Sequence, residues 1–396
     1  MVVFLPLLAG CGNVAAPNAD DSSVAGSPSA VLAPKTSKAD WTVDCKGGGD
    51  FKTIGDAIDA AASGEWIEVS PCTYEEQIDF GGKTLWISSS DGPDTTIIDA
   101  NNRGWVVTAT HGEGDQTAIV GFTLSGGSGG AVYADFAALR LENVVLKDIR
   151  GNYAVYEASA DIEIDSLTLD NVSASSAVIA ADRGAIEMVN SEIKCGRGGV
   201  GLYVSHASAL IDWSTISCSG GEANYWFHST GRIQRTSITG STYVEHEDDH
   251  YDDAIKMENV YHKGDISQTY GTFWFRNSLL DKGTVTLTTA YEASTVQASV
   301  FQGATCAISS DVAIGVTYSD FSGTTPDCTG VNTWVGTNGN IDSDPGFVDA
   351  AGGDWHLDAG SALVDAGAED AALDDVDGSR NDIGLYGGPR SLDGGW

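Results

Sequence analysis

A repeat with a period near 23 residues constrains this chain more than anything else in it. A short unit that cannot bury its own apolar face must stack on its neighbours. Ala131-Val132-Tyr133 returns as Ala154-Val155-Tyr156, Ala177-Val178-Ile179, Gly201-Leu202-Tyr203 and Asn224-Tyr225-Trp226, at steps of 23, 23, 24 and 23. A second phase keeps the same register through Leu141-Glu142-Asn143, Ile164-Asp165-Ser166, Met188-Val189-Asn190, Ile211-Asp212-Trp213, Ile233-Gln234-Arg235 and Met257-Glu258-Asn259. Later turns shorten, with Phe275-Arg276-Asn277 and Val296-Gln297-Ala298 following at 18 and 21. Helical repeats need longer segments of helical period, and leucine-rich repeats need regularly spaced Leu. The pattern predicts an all-β chain: a single-stranded right-handed parallel β-helix, a solenoid whose coils each supply three short strands and stack ~4.8 Å apart. Asn143, Asn190, Asn259 and Asn277 recur at the coil bend, where turn geometry favours Asn.

The cysteines bear on that prediction. Six of the seven fall into consecutive pairs, Cys45 with Cys72, Cys195 with Cys218 and Cys306 with Cys328, separated by 27, 23 and 22 positions. Cys195 and Cys218 share a phase, so stacking would put their Cα atoms within the ~4.4–6.8 Å that a disulfide accepts. Disulfides persist in oxidising compartments. The seventh, Cys11, ends an apolar run at Leu8-Ala9-Gly10-Cys11. That run resembles the lipobox of bacterial lipoproteins. The resemblance implies a lipid on Cys11 and an exported chain anchored in the cell envelope, and the absence of Asp after Cys11 points to the outer membrane. Residues 1–11 are then a signal peptide, too short for a bilayer span of roughly 20 residues. No Lys or Arg precedes the run, so the true start is expected upstream. Residues 12–40 are rich in Ala, Ser, Pro and Asp, lack apolar periodicity, and read as a flexible tether.

The β-helix domain is expected over residues 41–345. Its open ends would template aggregation unless capped. Phe51 to Ala62 places apolar residues at helical spacing, as a short N-terminal capping helix does. The stretch from Phe51 to Ile98, continued by Gly121-Phe122-Thr123-Leu124, resembles the N-terminus of the pectin-lyase-like superfamily, pectinesterase-like proteins in particular. An acidic C-terminal segment, 346–396, contains Leu363-Val364-Asp365-Ala366-Gly367 and Asp377-Gly378-Ser379-Arg380-Asn381-Asp382-Ile383-Gly384. It resembles the tail of bacterial secreted β-helix proteins and is expected to pack on or cap the β-helix. Asp374, Asp375, Asp377 and Asp382 would hold that tail in place. The resemblance implies a fold and not a reaction. The Gly-His-Gly of polygalacturonase-type hydrolases is missing, as are the basic motifs of pectate lyases and the pectinesterase catalytic segments.

Strand alternation sorts the first phase into two faces. Val132, Val155, Val178 and Leu202 belong inside. Tyr133, Tyr156, Tyr203 and Trp226 then point outward, interrupted only by Ile179, as an aromatic stripe suited to successive sugar rings. Continuing the stripe reaches His250 within His246-Glu247-Asp248-Asp249-His250-Tyr251-Asp252-Asp253, beside His228. Asp248, Asp249, Asp252 and Asp253 would suit Ca²⁺, which takes about 6–8 oxygen ligands. Zn²⁺ through His246 and His250 is the alternative. Asp249, His250 and Asp252 are the candidates for acid–base catalysis.

A formal charge of −36, from 56 acidic and 20 basic side chains, leaves no basic patch to hold phosphates and excludes nucleic acid as a partner. Three readings remain. One is a surface lipoprotein that binds a polysaccharide or cell-envelope component along its aromatic face without catalysis. The second is a polysaccharide lyase or glycoside hydrolase centred on 246–253, and the third a structural surface rod.

Overall fold

The computed structural model describes residues 38–196, 199–246, 254–289, 294–332 and 334–391. Cys11 and nearly all of the tether lie outside them. The described chain is a parallel β-helix with three faces, taken here in chain order within each coil. The first face runs from Trp41–Val43 to Gly315–Thr317, each strand pairing in parallel with the next. Its inward column pairs coil to coil through Ile119, Leu141, Ile164, Met188, Ile211, Ile233, Met257, Phe275, Val296 and Val316. All of these are buried. Each is worth about 1.5–3 kcal/mol of transfer free energy. The second repeat phase is therefore the core itself.

Each coil must turn between faces without leaving a backbone N–H unpaired. Between the first and second faces the turning residue is left-handed: Asn143, Ser166, Asn190, Trp213, Arg235, Asn259, Asn277, Ala298 and Tyr318 have φ between 44° and 62°. Asn adopts this conformation at low cost, which accounts for its recurrence. The residue after the turn is buried, and in most coils it is Ser or Thr. Ser191, Ser214, Ser278, Ser299 and Ser319 each donate their hydroxyl to a carbonyl two residues back, at 2.7–3.1 Å. The same oxygens accept an N–H from the coil below, as Ser278 does from Val260 at 3.0 Å and Ser299 from Ser278 at 3.3 Å. A hydroxyl ladder thus closes the corner.

All three cysteine pairs are disulfides, with Cα–Cα distances of 6.4, 4.9 and 5.3 Å. Cys195 and Cys218 are direct partners in adjacent strands. The cap helix is Ile54–Ala60, with the Thr53 hydroxyl accepting from the Asp56 N–H and Ile54, Ala57 and Ile58 buried. The Glu76 carboxylate reaches up to accept the N–H groups of Ile54 and Gly55, both at 2.9 Å. These are first-turn donors with no partner inside the helix. The tail packs along the side of the β-helix. Leu279 and Val300 project outward from the second face and are covered by Leu363, Ile383 and Leu385. Asn259 donates its amide to the carbonyls of Leu385 and Gly387, and Asn277 to Asn381. In the tail, Asp375 accepts the Asp382 N–H at 3.1 Å and Asp382 accepts the Asp365 N–H at 2.7 Å. These acids pin the loop.

The third face departs from the expected register in two places. Beyond an irregularity near Gly151, Val155 pairs with Ile179, so Ile179 and not Val178 joins the inward column. Further on, Leu202 pairs with Asn224 and Tyr203 with Tyr225. Trp226 therefore points inward and is fully buried, contrary to its place in the outward stripe. Its ring lies against Gly231, where a Cβ would sit 2.6 Å from the indole. The cause is a polar residue in an inward position. Asn224 donates to Thr242 Oγ1 at 3.3 Å, which in turn lies 2.8 Å from His262 Nε2. Burial depresses the His262 pKa to about 3, so the imidazole is neutral.

Trp226 shares its inward column with Ala134, Glu157, Ala181, Val204 and Val244. Glu157 is fully buried, and one oxygen accepts the Ala160 N–H at 2.7 Å. Burial raises its pKa from 4.5 to about 8.

Two predictions follow from these interior groups. Ser278→Ala leaves the buried Val260 N–H without an acceptor and should cost ~1–3 kcal/mol in urea denaturation, well beyond a surface Ser→Ala change. A folded-state pKa raised above the unfolded one means stability present at low pH and lost as pH rises through about 8. Thermal melts of Glu157→Gln should accordingly lose less stability between pH 6 and 9 than the parent chain. An unchanged alkaline slope would refute the neutral-acid assignment.

Candidate functional site

Outward from the third face, Tyr133, Tyr156, Ala180, Tyr203, Tyr225 and Tyr243 pair in one column. Tyr133, Tyr156 and Tyr203 thus stand on one outward column, half-buried, while Tyr225 holds the position expected of Trp226. Five coil steps at the usual strand spacing make this column ~24 Å long. Ala180 divides it into two aromatic groups.

The first group is a stack. Trp105 lies 5.5 Å from Tyr133, Tyr133 5.7 Å from Tyr156 and Tyr156 4.7 Å from Tyr153, with interplanar angles of 8–26°. Gly130 makes it possible: a Cβ there would fall 2.0 Å from the Trp105 ring. Burial raises the Tyr133 and Tyr156 pKa values, so both hydroxyls stay protonated donors at neutral pH. These four rings border a groove of about 430 Å³, completed by the bare backbone of Gly129 and Gly151 and by Ser128 and Asn152.

Stacking has a consequence for recognition. Rings parallel to one another spend their faces on each other and offer edges and hydroxyls outward. Phe136, three residues beyond Tyr133, is 73% exposed and stacks on no other ring among the described residues. It sits at the next corner with φ 50°, a conformation disfavoured for a bulky side chain. Ser159, Arg183 and His206 occupy the same corner in the following coils, so packing does not call for an aromatic residue there.

The second group comprises Tyr203, Tyr225 and Tyr243. Tyr203 and Tyr225 stack at 5.6 Å. The Tyr225 hydroxyl bonds Glu245, and this bond, more than burial, pushes its pKa up to about 12. His206, His228 and His246 follow at the adjoining corner, one per coil. His206 and His228 stack at 5.1 Å, and both His228 and His246 are buried. Asp248, Asp249, His250, Asp252 and Asp253 lie outside the described residues, and with them the Ca²⁺ site and the acid–base set expected there. Elsewhere, ligand atoms of Asp79, His111 and Glu113 come within 4.8 Å of one another. Both Glu113 oxygens already accept backbone N–H groups, from Gly82 and His111 at 2.9 Å, so this acid serves the loop.

His206, its stacking on His228 and the Trp105–Tyr133 stack were not apparent from the repeat. Trp105 precedes the regular coils, and histidines at steps of 22 and 18 show no fixed period.

No protein-family model matches the chain, and no curated protein matches it. Among solved structures, it is similar to pectate lyase Pel9A over 84% of its length and 90% of that chain's, at 11% identity and a TM-score of 0.38. It is similar to a pectin methylesterase from carrot over 81% of its length and 96% of that chain's, at 13% identity and a TM-score of 0.28. Neither likeness assigns a residue or an activity to this chain.

The two kinds of ring separate in a stability measurement. Tyr133→Ala removes two stacked partners, each worth about 0.5–1.5 kcal/mol, and should lower the urea midpoint. Phe136→Asn relieves a strained corner and should leave the midpoint unchanged or higher.

Proposed function

We propose that the protein is an exported polysaccharide-binding β-helix that holds its ligand along the third face without acting on it chemically. The observation that carries this reading is the make-up of the aromatic groove. Its lining contains four aromatic rings, a serine, an amide and glycine backbone, and no carboxylate, imidazole, ammonium or guanidinium group. Such a surface supplies apolar contact and neutral hydrogen bonds, which suit sugar hydroxyls, and lacks the paired acids of glycoside hydrolysis. The column of tyrosines beyond Ala180 extends the same surface along the coil axis, as a linear polymer requires. The three disulfides favour an oxidising compartment. A lipid on Cys11 would tether the β-helix to the outer membrane. No helix among the described residues is long and apolar enough to cross a membrane.

A glycan array combined with a degradation screen tests the binding reading. Binding should occur without product formation and fall about tenfold or more in Trp105→Ala and Phe136→Ala, the latter with an unchanged melting temperature. Unsaturated or new reducing-end products would overturn it. Mass spectrometry of the chain recovered from membranes should find Cys11 acylated at a new N-terminus.

A further inference from the structure

A second groove, larger than the aromatic one, lies on the outer side of the second face. It encloses about 920 Å³ between the strands Tyr261–Lys263, Leu279–Asp281 and Val300–Gln302 and the hairpin residues 350–355 of the tail. Trp355 closes its wall by stacking on Tyr261 at 5.2 Å. Strand register lines up Lys263, Asp281 and Gln302 on the floor, with Lys282 at the following corner. The stem of Lys282 rests on Gly303, where a Cβ would meet it at 3.0 Å.

We propose that this cleft is a second binding site, for a hydroxyl-rich saccharide that carries one isolated carboxylate or sulfate group. Lys263 and Lys282 are both exposed and neither has a carboxylate within ion-pair distance among the described residues, in a chain where acids outnumber bases by 56 to 20. The single acid that lines the cleft, Asp281, is buried and already accepts from the Tyr261 hydroxyl at 3.2 Å and the Gln302 amide at 3.5 Å. The lining therefore carries two cations against one hydrogen-bonded anion. The chain's overall charge does not cancel this, because screening confines exposed charges to about 8 Å at physiological salt. The remaining polar lining, with Ser237, Ser322 and Gln302, is neutral and matches a polyol. Asp349 and Asp354 pair at the base of the hairpin whose residues 350–355 line the cleft, and these neighbouring acids disfavour a polymer with an acid on every sugar.

The site is separate from the aromatic groove, and the test keeps them apart. Saturation-transfer NMR on the full chain would use galactose 6-sulfate and glucuronic acid as probes, with galactose and glucose as neutral counterparts. The acidic sugars should bind, the neutral ones at least about tenfold more weakly, and high salt should weaken the acidic pair. Lys263→Gln with Lys282→Gln should lower affinity for the acidic probes by about tenfold or more, while the charge-matched control Lys147→Gln, outside both grooves, leaves it unchanged. Each lysine varied alone, with melting temperature recorded, separates loss of the site from loss of the fold. Absence of binding by both acidic sugars, equal affinity in the double variant, or an equal loss in Lys147→Gln would each overturn the proposal; neutral-sugar binding that survives the double variant belongs to the aromatic groove.

Discussion

Most described coils of this protein turn around a buried backbone N–H that has to be satisfied, and the rest of the architecture depends on how that is done. A left-handed residue makes the bend between the first and second faces, and the hydroxyl that follows accepts an N–H from the coil below. Because the same hydroxyl also donates to its own strand, each corner that carries Ser or Thr locks two coils in register. An alanine at such a position would fill the space and strand the donor. The apolar columns can stack without slipping because the corners have already set their alignment.

Fixed corners decide which side chains face outward, and so what the surface can do. On the third face the outward column is aromatic; on the second it is partly apolar and needs the tail to cover Leu279 and Val300. The interior tolerates polar groups where they find one another, as Asn224, Thr242 and His262 do. Glu157 is an acid held neutral by burial, flanked in its column by Ala134 and Ala181.

The fold was legible because one phase of the repeat is apolar in every coil. Leu141 through Val296 gave the period, and stacking them is the fold. The third face was read less well for a physical reason. Alternation assigns an apolar residue to the inside, and at 224–226 that rule chooses Tyr225 over Asn224. The structure buries Asn224 instead, because Thr242 lies within reach, and this turns Tyr225 outward and Trp226 inward. The hydroxyl ladder was present in the sequence as Asn190-Ser191, Trp213-Ser214, Asn277-Ser278 and Ala298-Ser299. Serine after a turn looks like an ordinary loop residue, and its burial is a tertiary fact. Which rings have free faces is likewise decided by neighbours one coil away.

The tail's attachment has a mechanical meaning. Asn259, Asn277 and the Ala298 carbonyl belong to three successive coils, and all bond the segment between Asn381 and Gly387. The tail therefore acts as a clasp laid across coils that would otherwise unwind one at a time. A pull on the C-terminus loads these bonds together, in shear, before the last coil can peel. A solenoid that would fray from its end becomes one that has to be unfastened first.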